Sequence, residues 1–344
     1  MDFSAFLFLI QDGVLTGSIY ALIAVAFVLI FTVTRVIFIP QGDFVAFSAL
    51  TLVSLKNGHL PGSVWLLLIA GIAAGIAELV AERQRLTRVK VAKIVVVNFV
   101  LPISIFALTS FALRHDIGDI GRSLLSIALV GALGPFVYQI VFRPLGNASI
   151  LVLLIAAVGV HWLMIGLGLA LFGAEGFRTD PFTGASYELG PLLISGQSIL
   201  ILVAVVVVMA GLYMIFERTL LGKALQAAAI DERGARLVGI SPQASGQLAF
   251  LLASLIGAIS GVLIASSTTI YFDSGFLIAL KGFVAAIVGG FASYPLAVAS
   301  AFLVGLSESF ASFWASALKE IIVFSLIVPV LLARSVRANH SEGD

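Results

Sequence analysis

The sequence predicts an all-α polytopic membrane protein on three observations. Of 344 residues, 60% are hydrophobic and only 11% are charged, against roughly 25% charged in a soluble domain. Mean hydropathy is +1.16. The apolar residues also gather into runs of about 20, the length of helix that crosses a ~30 Å hydrocarbon core. Backbone groups in lipid must be bonded within a helix or a closed barrel. These runs lack the alternation of barrel strands, so helices are expected.

In chain order, spans are expected at 13–34, 64–82, 91–113, 122–142, 148–173, 194–216, 246–270, 294–312 and 318–334. Two shorter apolar pieces, 42–55 and 277–291, are too short for a comfortable straight crossing. The expectation is therefore a single transmembrane domain over 1–344 with about 9–11 transmembrane or re-entrant helices. The first run is long and lacks a basic leader or small-residue cleavage site, and reads as a retained span. Small residues within spans, as in Ala70-Gly71-Ile72-Ala73-Ala74-Gly75 and Gly257-Ala258-Ile259-Ser260-Gly261, suit close helix packing.

Lysine and arginine set the orientation, because they accumulate on the cytoplasmic side. With the N-terminus outside, the C-terminus cytoplasmic and both short pieces counted as passes, thirteen of the nineteen fall inside. Only Lys56, Arg114, Arg122, Arg178, Lys281 and Lys319 do not. The loop around 174–193, with Glu175, Asp180 and Glu188, then faces outward.

Several function classes are excluded. A net charge of +1 gives no ground for a nucleic-acid partner, and zero cysteines exclude disulfides and thiolate metal sites. The histidines His59, His115, His161 and His340 are scattered, so no metal site is expected. The chain has no Gly-x-x-x-x-Gly-Lys-Ser/Thr loop for ATP and no His-Glu-x-x-His zinc motif. No catalytic residue and no cofactor are expected.

Three constellations carry the functional reading. The first is a polar, small-residue segment at 217–241, with Thr219 placed to cap a helix and Gly239 to stop it. Ser241-Pro242 then reads as the cap and first residue of the next span. A short helix between these signals would present Gly222, Ala224, Ala227, Ala228 and Ala235, with Lys223, Asp231, Glu232, Arg233 and Arg236 to orient it. Such a surface fits the groove of a soluble partner. The second is the pair of short pieces, which carry Gly42-Asp43 after Pro40, and Lys281, Gly289-Gly290 and Pro295. Paired short or Gly/Pro-interrupted segments point to a translocation path. The third is a set of ionisable residues in or near apolar runs: Glu78, Lys281, Glu308, Lys319 and Glu320. A charge at the bilayer centre costs at least ~2.5 kcal/mol on insertion scales, so such groups face a cavity or a partner. Glu78 and Lys319 read as interfacial, Glu308 as the deeper residue, and His161 as a hydrogen-bonded interior residue. An alternative reading on the same residues is a stand-alone secondary transporter or channel, with Asp43 and Glu308 as its ion-coupling candidates.

The wording of these segments resembles the permease family of branched-chain amino acid ABC transporters (LivH-type). Arg218, Thr219, Gly222, Ala224, Ala227, Ala229, Asp231, Leu237, Gly239 and Ile240 stand in register with its coupling segment, and Gln226 departs from it. The run from Gly275 to Pro295, with Lys281 and Gly289-Gly290, is similar to a second family motif. Further likenesses are Gly17-Ser18-Ile19-Tyr20-Ala21-Leu22, Phe142-Arg143-Pro144-Leu145, Ile194-Ser195-Gly196-Gln197 and Gly305-Leu306 with Glu308. They run in order along nearly the whole chain.

The resemblance implies an ABC importer permease fold and an inner-membrane subunit that does no chemistry itself. It also implies the partners: two ATP-binding subunits, a second homologous permease forming a heterodimer, an extracytoplasmic solute-binding protein and membrane lipid. Arg218, Thr219, Gly222, Ala224, Ala227, Asp231 and Gly239 would couple to the ATPase. Gly42, Asp43, Lys281, Gly289, Gly290 and Glu308 would belong to the translocation path. This chain departs from the family at Phe38-Ile39-Pro40-Gln41, at His161 and at Ile165-Gly166. The stretch 83–142 adds a probable extra, peripheral helical hairpin, whose basic start at Arg83–Lys90 suits anionic headgroups.

Overall fold

The computed structural model describes residues 2–81, 87–146, 148–190, 192–291 and 293–332. Arg83, Arg85, Arg334 and Arg337 of the basic set lie outside them. The helices, in order, are α1 (Phe3–Thr34), α2 (Gln41–Lys56), α3 (Gly62–Ala81), α4 (Arg88–Arg114), α5 (Gly118–Phe142) and α6 (Ile150–Phe172). A hairpin of β1 (Ser186–Leu189) and β2 (Leu192–Ser195) leads into α7 (Gly196–Arg218). Then come α8 (Leu220–Ile230), α9 (Glu232–Leu237), α10 (Pro242–Ile264), α11 (Ser274–Gly289), α12 (Tyr294–Trp314) and α13 (Lys319–Ser325). Eight of these, α1, α3–α7, α10 and α12, are long and apolar enough to cross a membrane. With the short α2 and α11 the count falls within the expected 9–11.

Proline explains most of the irregularities. A proline lacks the N–H that the carbonyl four residues earlier needs. Pro135 thus frees the carbonyl of Gly131 in α5, and Ser254 Oγ of α10 donates to it at 2.7 Å. Pro102 follows a π turn at Val96–Val100 in α4, and a second π turn, Tyr138–Phe142, ends α5. Pro329 stands four residues beyond Ser325, where α13 stops. The expected span at 318–334 is therefore broken at Leu326 into two short pieces among the described residues. α10 ends at Ile264 rather than 270 because Ser266-Ser267-Thr268-Thr269 forms a turn. The carbonyls of Ala265 and Ser266 accept from Thr179 N and Arg178 Nε.

The chain divides into two units. The larger comprises residues 29–182 and 212–276. At its centre is α2, where every residue except Ser54 and Lys56 is buried. α10 and α5 pack against it. The approach to α10 is set by Gly257 and Gly261, which share one helix face. A Cβ on Gly261 would lie 2.2 Å from the carbonyl oxygen of Val45. Hydroxyls and amides stitch the seam. Ser48 Oγ donates to Ala258 O at 2.8 Å, Ser126 Oγ to Ser48 O at 2.7 Å and Gln41 Nε2 to Ala253 O at 2.8 Å. Phe38, in the link from α1 to α2, packs on Phe44, Phe142 and Phe250 with centroids 4.8–5.8 Å apart.

The expected extra hairpin at 83–142 is peripheral only in its first member. α4 is largely exposed, whereas α5 lies in the core of the larger unit beside α2 and α10. Glu78 of α3 is not an interfacial snorkelling residue either. Its Oε2 accepts from Asn98 Nδ2 at 3.1 Å and Gln139 Nε2 at 2.8 Å, and its Oε1 from Arg143 Nη1 at 3.4 Å. Asn98 and Gln139 each stand in a π turn.

The smaller unit comprises residues 1–28, 183–211 and 277–344. Here Gly13 and Gly17 of α1 meet Gly305 of α12 backbone to backbone. A Cβ on Gly305 would lie 2.4 Å from Gly17 N and 2.5 Å from Gly13 O. Ser309 Oγ donates to Leu9 O at 2.8 Å along the same seam.

These contacts give a direct test. Gly261→Ala should lower the thermal midpoint of the purified permease by several degrees, because the methyl strikes backbone. Gly166→Ala, in α6 with nothing within 4 Å of the added atom, should leave it unchanged or slightly raised. Equal shifts for both would remove the close-packing account.

Candidate functional site

The segment 217–241 folds as its local sequence demands. Thr219 caps α8, its Oγ1 accepting from Gly222 N at 3.0 Å. Asp231 then interrupts the helix, so one expected short helix is two. Its backbone is extended (φ −147°, ψ 104°) and its carboxylate accepts from Arg233 N at 2.9 Å to start α9. Gly239, at φ +84°, ends α9. Gly239 N donates to Arg236 O at 3.1 Å and Ile240 N to Ala235 O at 2.9 Å, the paired bonds of a Schellman stop. Ser241 caps α10 with Pro242 in its first turn.

The surface of this segment differs from expectation. Gly222 is buried, not presented: a Cβ there would lie 2.1 Å from Ile215 O and 2.5 Å from Phe216 Cα at the end of α7. Ala228 and Ala235 are buried as well. Ala224 and Ala227 are half-buried, and Arg218 is exposed. The exposed apolar residues are large. Leu220 and Leu237 are each 89% exposed, Ile230 86% and Val238 75%. The clue missed in the sequence was the placing of these residues just inside or beside the caps, where a helix cannot bury them beneath itself.

Gly42 and Asp43, at the start of α2, meet two other elements. The Asp43 carboxylate accepts from His161 Nδ1 of α6 at 2.8 Å. The His161 ring stacks on Phe276 of α11, 4.8 Å between centroids at 26°. Gly275 comes so near Gly42 that a Cβ on it would lie 2.2 Å from Gly42 O. The two short pieces named in the sequence thus touch at their N-terminal ends. His161 is hydrogen-bonded in the interior, as expected, but its partner went unseen. Asp43 Oδ1 and Gln41 Oε1 are buried without a hydrogen-bond partner among the described residues.

In the smaller unit, Lys281 of α11 pairs with Glu308 of α12, and with Glu320 of α13 at 3.1 Å. Tyr20 of α1 donates its hydroxyl to Glu308 Oε2 at 2.6 Å. Two opposite charges in apolar runs form the cheapest solution available to each other, a signal present in the sequence and not used. Gly289 packs on Ala297, and Gly290 (φ +85°) ends α11 with Gly290 N and Phe291 N donating to Ile287 O and Ala286 O. Gly289 and Gly290 therefore have capping and packing work. Neither Asp43 nor Glu308 is a lone carboxylate.

A double-mutant cycle tests the second cluster. Lys281→Met and Glu308→Gln should each cost about 3 kcal/mol of stability by leaving a partner unsatisfied, with the double variant recovering part of the loss. Strictly additive losses would show that the two groups do not sustain each other.

Known proteins can now be set beside this geometry. The family model described as "Branched-chain amino acid transport system / permease component" matches residues 122–331, well over half of the chain. The high-affinity branched-chain amino acid transport system permease protein BraD of Pseudomonas aeruginosa is 26% identical over 338 residues, covering 94% of this chain and 92% of that protein. The corresponding LivH of Escherichia coli K12 is 23% identical over 346 residues, covering 95% and 94%. Among solved structures, PsaBC from Streptococcus pneumoniae in complex with Fab aligns with 94% of this chain and 89% of that one, with 10% identity and a TM-score of 0.38, too distant to inform the fold. From its helices and its match over 122–331, this chain belongs to the permease components of branched-chain amino acid transport systems.

Proposed function

We propose that this chain is one membrane subunit of an ATP-driven importer in a bacterial inner membrane, translocating branched-chain or related amino acids. A solute-binding protein delivers the substrate outside, a second homologous permease completes the pathway, and two ATP-binding subunits drive it from the cytoplasm. ATP is bound and hydrolysed by those partners, not by this chain. The names of its relatives support the substrate class. The N-terminus lies outside, which puts segment 217–241 on the cytoplasmic side.

The observation that carries this reading is the build of that segment. Two short helices are capped at Thr219 and Asp231 and stopped at Gly239. They hold Leu220, Ile230, Leu237 and Val238 out from the chain. A rigid support under large apolar side chains is what a docking surface needs, since pre-ordering lowers the cost of binding. Gly222 acts beneath, by letting α8 lie against the end of α7. Arg218, Ala224 and Ala227 complete the dock. The translocation path runs by Gly42 and Asp43, with Lys281, Gly289, Gly290 and Glu308 supporting it. The acceptor oxygens Asp43 Oδ1 and Gln41 Oε1 suit an amino acid's ammonium group.

Two experiments test the reading. In co-expression with its candidate ATPases, the Leu220→Glu/Leu237→Glu variant should insert normally and retain at least about tenfold less ATPase than wild type, as for loss of interface anchors. Undiminished retention would sink the dock. Asp43→Asn should depress uptake of labelled leucine at normal expression; full uptake would remove Asp43 from the path.

A further inference from the structure

We propose that a cavity of the larger unit binds the phosphate of an anionic membrane lipid. The cavity, of about 730 Å³, opens where α1 ends, α6 begins and α10 begins. Arg35, Arg143 and Arg236 line it, and among the described residues no acidic side chain does. Arg143 shares its charge with Glu78, which reaches it from outside the wall at 3.4 Å. Two long helices also present their N-terminal ends here, through Ser149 and Ile150 of α6 and Pro242 of α10. Helix N-termini and guanidinium groups both favour a phosphate. Three independent sources of positive potential meet at one hollow.

The depth and the remaining walls select the source of that phosphate. The mouth lies at the ends of three membrane helices, the level of lipid headgroups. Leu145, Ile150, Leu153 and Ile230 supply apolar wall beside the arginines. An amphiphile with a phosphodiester and acyl chains satisfies both, whereas a free phosphate satisfies only the first. The wall also includes Ala228–Ile230 of α8 and Arg236 of α9. A lipid seated here would brace the segment assigned to the ATPase dock. The binding assignment does not depend on what the permease carries.

Arg35 provides a clean variant. It closes α1 in the left-handed region, at φ +58°, where a side chain is strained and glycine is not. Arg35→Gly therefore removes the guanidinium while easing the backbone. The purified, delipidated importer complex would be titrated with phosphatidylglycerol, phosphatidylcholine and inorganic phosphate, and occupancy read by native mass spectrometry. Wild type should bind phosphatidylglycerol about tenfold more tightly than phosphatidylcholine. Arg35→Gly and Arg236→Gln should each erase most of that preference, while Arg35→Lys keeps it. Unchanged preference in both neutral variants overturns the site. Arginine-dependent binding of inorganic phosphate as tight as that of phosphatidylglycerol overturns the assignment to lipid.

Discussion

The larger unit depends on how closely α10 approaches α2. A helix buried on every side in a protein surrounded by lipid gains nothing from leaving water, because its neighbours and the lipid are equally apolar. Its stability must come from dispersion contacts at short range and from polar groups that find partners. Gly257 and Gly261 provide the first by removing the side chains that would hold the backbones apart. Ser48, Ser126 and Gln41 provide the second. Interhelical bonds of this kind average about 0.6 kcal/mol, so no single one holds the seam. The same approach leaves Gly42 and Asp43 at a fixed place beside His161.

Spans, orientation signals and caps were legible in the sequence because they are local. A run of apolar residues, a threonine before a helix and a glycine after one act within a turn or two. Thr219, Gly239 and Ser241 all behave as their positions dictate. What the sequence could not disclose is long-range pairing. Asp43 and His161 are 118 residues apart, and Tyr20 and Glu308 are 288 apart. Gly222 was misjudged for a related reason. A small residue can mean an open surface or a neighbour pressed against it, and only the position of Ile215 decides between them. The breaks at Asp231 and Leu326 follow from rules visible beforehand, a capping carboxylate and a proline four residues on, that apolar content had outweighed.

The departures from the family's wording also gain a physical meaning. Phe38 is not filler in a link but a ring set among three others. Gln41 spends its amide on the carbonyl of Ala253, and His161 spends a ring nitrogen on Asp43. Polar groups at these positions are committed to holding helices together as well as to facing any solute. Selectivity and assembly are thereby carried by the same atoms, which limits how far either can change alone.

The two π turns bear on how such a chain tolerates change in its length. Each is a helical turn widened by one residue, at Val96–Val100 and Tyr138–Phe142. Losing one residue there would restore an ordinary turn, and the helix would continue. Everything beyond would be rotated by roughly 100° about the axis, since 3.6 residues make a turn. Deletion in the second π turn would swing Arg143 away from Glu78 while the span kept almost its full length. In α4 and α5, reading-frame-preserving deletions should therefore be judged by the direction in which later side chains point, not by whether enough apolar residues remain to cross the bilayer.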